Sequence, residues 1–384
     1  VRDIVLNKRK IGRVYTNLRG WRTSRKIMII ESDDWGSVRM PSKDVYDKCL
    51  RAGYPVDKRP YERYDSIASE EDLELLFNLL SSYKDIKGNH PIITANCLVA
   101  NPDFEKIKAD NYNNYHYELI TETFKKYPKH SNNFNLWKQG MNSKVFHPQY
   151  HGREHVNVSL LLGDLQKGKE NAHFGFANGM PGCIPLGPKA IGNRYVEAMR
   201  YSSIKDKKDK LNIYLEGLDI FERLFGFRSY SIIPPNYIWS LDYNEAVNKS
   251  GVKFIQSIRM IKEPVIGKDK VIKHDIYLGK KNKFGQVYGV RNVTFEPTSV
   301  KKGVQSFVDQ CLMEMNIAFK MGKPAVISSH RINYVGFIDP GNRDRSLNML
   351  EQILTTAIKR WPDLEFMTSD QLGRIILGHN YENN

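Results

Sequence analysis

Two adjacent carboxylates, Asp33 and Asp34, follow the apolar run Ile27-Met28-Ile29-Ile30 almost at once. Side by side they repel each other unless a cation or a shared proton relieves them. The chain offers further cation ligands in His151-Gly152-Arg153-Glu154-His155, two imidazoles four residues apart, with His147 another four upstream. Another imidazole, His330, ends the run Ala325-Val326-Ile327-Ser328-Ser329. An Asp-His-His set with an open position suits zinc, although such oxygen and nitrogen ligands also suit other divalent ions. One aspartate of the pair then binds the cation, and the other, kept ionised beside it, is free to take a proton from water. An imidazole titrates near neutrality and can return that proton to a leaving group. The chemistry these residues suggest is metal-dependent hydrolysis.

Two other readings use the same letters. His151-x-x-Glu154-His155 matches the inverted zinc-peptidase motif H-x-x-E-H, with Glu216 or Glu222 as a further ligand. That motif needs a helix, which Pro148 and Gly152 oppose, and it leaves Asp33, Asp34 and His330 without a task. An aspartate pair at a strand end also caps turns.

The elements that must position these residues follow a β/α rhythm. Ile27–Ile30 reads as a buried parallel strand whose end delivers the aspartates to a carboxyl edge, where α/β folds place their ligands. Ser69-Glu70-Glu71-Asp72 predicts a capping box opening a helix through Leu80. Residues 91–96, 230–233 and 252–255 are further strands, and 212–225 is an amphipathic helix stopped at Gly226. Val304 to Met321 forms a long helix leading into the strand that ends on His330. A helix from Ser346 to Trp361 and a strand at 364–367 follow. Thr368-Ser369-Asp370-Gln371 caps a terminal helix.

Two stretches interrupt the rhythm and read as insertions on one barrel domain spanning 1–384. Residues 97–145 are rich in Asn, Tyr and Lys, and Tyr112, Tyr115, Tyr117 and Trp137 there are candidates for stacking on sugar rings. Residues 258–303 read as hairpin-like, with Val287–Val290 and Val293–Phe295 as its strands.

Composition sets the class. The 384 residues are 41% hydrophobic and 26% charged, ordinary for a globular protein. No run of about 18 apolar residues could span a membrane. Val1–Lys10 lacks the apolar core and cleavage site of a signal peptide, so a cytoplasmic location is expected. Cys49, Cys97, Cys183 and Cys311 are scattered without a CxxC pair, which argues against a zinc knuckle or a disulfide scaffold. The formal charge of +15 is spread along the chain without a nucleic-acid-binding motif. A solvated basic surface is therefore expected, with no nucleic-acid partner.

In order, Asp33-Asp34, the HxxxH pair, Pro234-Pro235 and a strand ending in His330 resemble the motifs of the polysaccharide deacetylase family, a carbohydrate esterase family. The resemblance runs through short motifs between about residues 26 and 372. It implies an α/β fold, a distorted (β/α)7-type barrel with long inserted loops and its site at the strand carboxyl ends. It also implies Asp33 as general base, Asp34, His151 and His155 as ligands of a divalent metal, most simply Zn2+, and His330 as proton donor to the leaving amine. Pro235 with the backbone N–H of Asn236 or Tyr237 would hold the oxyanion. The chain departs from the family by placing Trp35 where Gly follows the aspartates. It has no Arg before Pro234, the nearest being Arg228, and no Asp-Trp motif after Pro235. His147 and Arg228 are accessory candidates. The implied reaction removes an acetyl group from an N-acetylated, or O-acetylated, sugar or polysaccharide. The alternative in another class is a carbohydrate-binding pseudoenzyme of the same fold.

Overall fold

A computed structural model describes residues 2–184, 193–299 and 303–379, with side chains from Lys8 onward. Residues 300–302, within the second expected insertion, lie outside the described residues.

Among the described residues, nine strands form one wholly parallel sheet. They are β1 (Lys26–Trp35), β2 (Ile93–Leu98), β3 (Phe146–Gly152), β4 (Ser231–Ile232), β5 (Phe254–Ile255), β6 (Val287–Tyr288), β7 (Val293–Thr294), β8 (Ala325–His330) and β9 (Leu364–Phe366). The hydrogen-bonded order is β6-β5-β4-β3-β2-β1-β8-β7, and β9 pairs with the first residues of β1. Strands buried on both faces need apolar residues on both, which explains the unbroken run Ile27–Ile30. Ile27 and Ile29 pack with Tyr150, Ile232, Phe254 and Val326 on one face. Met28 and Ile30 pack on the other against Leu73, Leu76, Phe307 and Leu350 from covering helices.

The two ends of this path belong to one stretch of chain. The amides of Gly289 and Arg291 donate to the carbonyls of Ile255 and Ser257 beside β5. Those of Asn292 and Phe295 donate to Val326 and Ser328 on β8. The backbone thus passes from one edge of the sheet to the other, and the curled sheet forms a half-barrel consistent with a TIM-like fold. This corrects the hairpin expected at 287–295: both strands are parallel members of the main sheet. The hairpin in that region is Met260–Pro264 with Val271–Asp275.

The first expected insertion is also partly scaffold. Ala100–Pro102 and Tyr117–Leu119 form a small antiparallel ladder. The helix Asn133–Asn142, however, buries Leu136 and Trp137 against the sheet. Trp137 is 1% exposed and meets Trp35, Phe124 and Phe146, so it is a core residue and no platform for a sugar. Tyr115 is half-buried, and Tyr112 packs on His173 and Phe176. Tyr117 donates a hydrogen bond to Glu216 beneath the Arg153 guanidinium.

The capping box forms, with Ser69 and Asp72 each bonding the other's backbone at the head of the helix Glu70–Ser81. Two helices start earlier than their apolar periodicity suggests, at Ile204 and Pro340. Their first turns are polar, but Ser203 and Asp339 cap them. In the helix Ile204–Phe225, Gly217 lets the backbone press on β3: a Cβ there would lie 2.0 Å from the Tyr150 hydroxyl. Tyr150 donates to the Tyr214 carbonyl across that contact, fixing the residue just before His151. No helix among the described residues is long and apolar enough to cross a membrane.

Candidate metal centre and its flanking acid–base pair

Successive residues of a strand face opposite sides, so Asp33 and Asp34 should diverge. They do not, because β1 is irregular between Ser32 and Trp35 and Asp34 has a left-handed φ of 73°. A bulge of this kind re-aims a side chain at a strand end, and aspartate tolerates the conformation better than most residues. Trp35 anchors the far side, in T-shaped contact with Trp137 and Phe146 and stacked on Tyr334. Such pairs contribute about 0.5–1.5 kcal/mol each beyond their buried area.

Asp34, His151 and His155 form one buried group whose ligand atoms lie within 4.8 Å of one another. The Nε2 atoms of His151 and His155 stand 3.5 and 3.4 Å from Asp34 Oδ1. His151 Nδ1 is 2.9 Å from the Ile233 carbonyl, which can only accept, so Nδ1 is the donor there and Nε2 is turned toward the carboxylate. His155 Nδ1 is buried without a hydrogen-bond partner. Burial, helped by the nearby Arg39, pushes His155 down to about 3, so it is held as the neutral ligand form. Arg39 lies 3.5 Å from Asp34 Oδ2 and leaves Oδ1 facing the histidines. Burial alone would raise the Asp34 pKa, but Arg39 and the two histidines hold it well below the carboxylate range. Asp34 Oδ1 and the two Nε2 atoms, converging in a buried space, fit a divalent cation.

Asp33 and His330 flank this group. Arg291 grips Asp33 with two guanidinium nitrogens, at 2.7 and 2.6 Å, and Asn96 donates a third hydrogen bond at 2.8 Å. Burial opposes ionisation of Asp33, yet Arg291 outweighs it and holds the pKa at about 2. Arg291 also donates to Glu31 and to the Tyr237 hydroxyl. His330 Nδ1 donates to Glu296 at 2.6 Å, and Glu296 in turn accepts from Asn333. Burial disfavours the imidazolium, but the Glu296 carboxylate overcomes it and pushes His330 up to about 9.

Five sequence candidates therefore come together: Asp33, Asp34, His151, His155 and His330. Pro235 follows β4 close to Gly152. The Tyr237 amide donates to the Pro234 carbonyl, so it is already engaged, and the Asn236 amide is the remaining oxyanion candidate. Two accessory candidates lie elsewhere. His147 is four residues of strand, roughly 13 Å, from His151, where it faces Asp370 and stacks on Phe227. Arg228 pairs with Asp219 and Glu222. The peptidase motif also fails on geometry, since His151 belongs to a strand and Arg153 engages both Glu154 oxygens. Arg291 and Glu296 were not singled out in the sequence. The signal for Arg291 was a lone charge within the extended apolar run Val287–Val293.

No family model and no curated protein matches the chain. Several solved structures are similar to it over most of its length. A 4-alpha-glucanotransferase from Thermococcus litoralis is 9% identical with a TM-score of 0.44, over 93% of this chain and 41% of that one. A probable polysaccharide deacetylase from Pseudomonas aeruginosa PAO1 is 10% identical with a TM-score of 0.45, over 91% of each chain. Puue allantoinase is 12% identical with a TM-score of 0.43, over 92% of this chain and 91% of its own. The chain thus spans less than half of the glucanotransferase. Similarity at this level assigns no activity.

Proposed function

We propose that the chain is a metal-dependent amide hydrolase that removes an N-acyl group, acetyl in the simplest case, from an amino sugar or polysaccharide. The observation that carries the reading is the Asp34–His151–His155 group with Asp33 and His330 beside it. A divalent ion held there, most simply Zn2+, would act as a Lewis acid toward the amide carbonyl and the attacking water. Asp33 orients that water and accepts its proton, with its direction fixed by Arg291 and Asn96. His330, held protonated by Glu296, donates to the departing amine. The Asn236 amide stands as donor to the developing oxyanion.

The test is acetate release from N-acetylglucosamine oligomers by zinc-loaded protein, paired with metal analysis. Stoichiometric zinc and metal-dependent acetate release support the reading; a protein that binds no divalent metal refutes it. One observation favours the second reading, a carbohydrate-binding protein without turnover: the Arg291 fork on Asp33 lowers its basicity. That reading requires oligomer binding with no acetate released at any metal concentration.

A further inference from the structure

The helix Arg2–Asn17 sits on the body of the protein with its polarity inverted. A surface helix ordinarily turns its apolar stripe to the core and its charges to water. Here the Arg9 and Arg13 guanidiniums turn inward and both pair with Glu314, whose side chain is wholly buried on the helix Val304–Lys320. Arg13 also donates to the Thr294 hydroxyl on β7. Asn17 is buried on the same side, where it accepts from Asn292 at 2.8 Å. The opposite face carries Ile11, Val14, Tyr15 and, one residue past the helix, Leu18. Spaced three and four apart, these side chains form one stripe, and they are 40–68% exposed. Of the ten large apolar side chains that stand out from the surface among the described residues, four belong to this stripe. Single exposed apolar residues are ordinary, but a contiguous stripe marks a surface that meets a partner or a membrane.

Charge selects the occupant. Residues 4–26 hold eight lysines and arginines and no carboxylate. Lys8 and Lys10 are exposed, and helical geometry sets them on either flank of the stripe. The Arg259 guanidinium lies across the Tyr15 ring at 3.9 Å. The nearby acid, Asp275, is shared between Arg19 and Arg259. A second copy of the chain on this face would bring two basic segments together, and like charges so juxtaposed oppose association. An anionic lipid surface answers both features: the stripe enters the boundary of the acyl chains while the lysines meet the headgroups. We infer that this helix lies flat on an anionic phospholipid surface with Ile11, Val14, Tyr15 and Leu18 inserted, its inward arginines tying the barrel to the membrane. The inference does not depend on the hydrolase reading.

Flotation of the whole chain with vesicles tests it. Binding to vesicles of phosphatidylglycerol and phosphatidylcholine in equal parts should exceed binding to phosphatidylcholine alone by at least about tenfold, a factor that two lysines at such a surface supply. Ile11→Ser combined with Leu18→Ser should weaken anionic-vesicle binding by at least about tenfold. Lys8→Glu combined with Lys10→Glu should remove most of the difference between the two vesicles. Both proteins should keep the wild-type urea midpoint, because the substituted side chains are exposed. Absence of wild-type binding to the anionic vesicles overturns the inference, as does equal binding to both kinds. Undiminished binding of the doubly serine-substituted protein also overturns it, by placing the contact elsewhere. Sedimentation velocity covers the competing occupant: a wild-type dimer that the two serines abolish, with no flotation, assigns the stripe to a second copy and overturns the lipid reading.

Discussion

Asp33 and His330 are register partners on adjacent parallel strands, with His330 Nε2 3.6 Å from Asp33 Oδ2. Each is held by a counter-charge of its own, Arg291 for the carboxylate and Glu296 for the imidazole. The environments push the two apart, to about 2 and about 9, so at neutral pH the carboxylate is ionised and the imidazole protonated. Removing either should therefore stop the chemistry without emptying the metal group. Asp33→Asn and His330→Ala are each expected to lower kcat by about 10²–10⁴-fold, with zinc content by elemental analysis unchanged. Near-normal turnover in either protein would remove it from the mechanism.

The pH profile follows from Glu296. A general acid works only while protonated, so kcat should hold at neutral pH and decline as pH rises through about 9. Glu296→Gln removes the charge that raises His330. The alkaline limb of kcat against pH should then move to lower pH, toward the ordinary imidazole value of about 6.5. A limb that stays in place would show that another group sets it.

Metal binding should be visible in stability as well as in activity. An ion that binds the folded chain at 100 times its Kd adds about 2.7 kcal/mol. Zinc should raise the Tm of the wild-type chain and a chelator should reverse the gain. In His151→Ala and His155→Ala the zinc-dependent rise should vanish. An undiminished rise in both would place the ion elsewhere.

Arg291 is 1% exposed in its side chain and lies between two buried carboxylates, Glu31 and Asp33. Removing one member of a buried ionic group leaves uncompensated charge, at a cost of about 3–5 kcal/mol. Arg291→Met should lose about that much in urea unfolding, and Glu31→Gln in the same chain should recover part of it. Arg291→Lys keeps the charge but not the planar fork, so it should retain more stability than Arg291→Met while still lowering kcat. Equal stability of Arg291→Met and wild type would refute the role given to this cation.

The residues of the candidate site were legible in the sequence because they sit where a strong local signal ends. Asp33 and His330 close long apolar runs, and His151 and His155 stand at a ligand spacing. Their supports were not legible. β6 and β7 are two residues each and separated by residues 289–292, so the stretch resembled a hairpin. Only the hydrogen bonds to β5 and β8 reveal it as sheet, and with it the places of Arg291 and Glu296. Trp137 misled for the opposite reason: it lies in a stretch rich in Asn and Lys, but the helix turns it inward with Leu136 and Gly140.

The stretch 287–295, shared by both edges of the sheet, carries Arg291 at its midpoint. A chain whose 287–295 stretch has not yet joined both edges has therefore not yet set Arg291 against Asp33. A protease nick at this seam should release Asp33 from its fork before the rest of the architecture is lost.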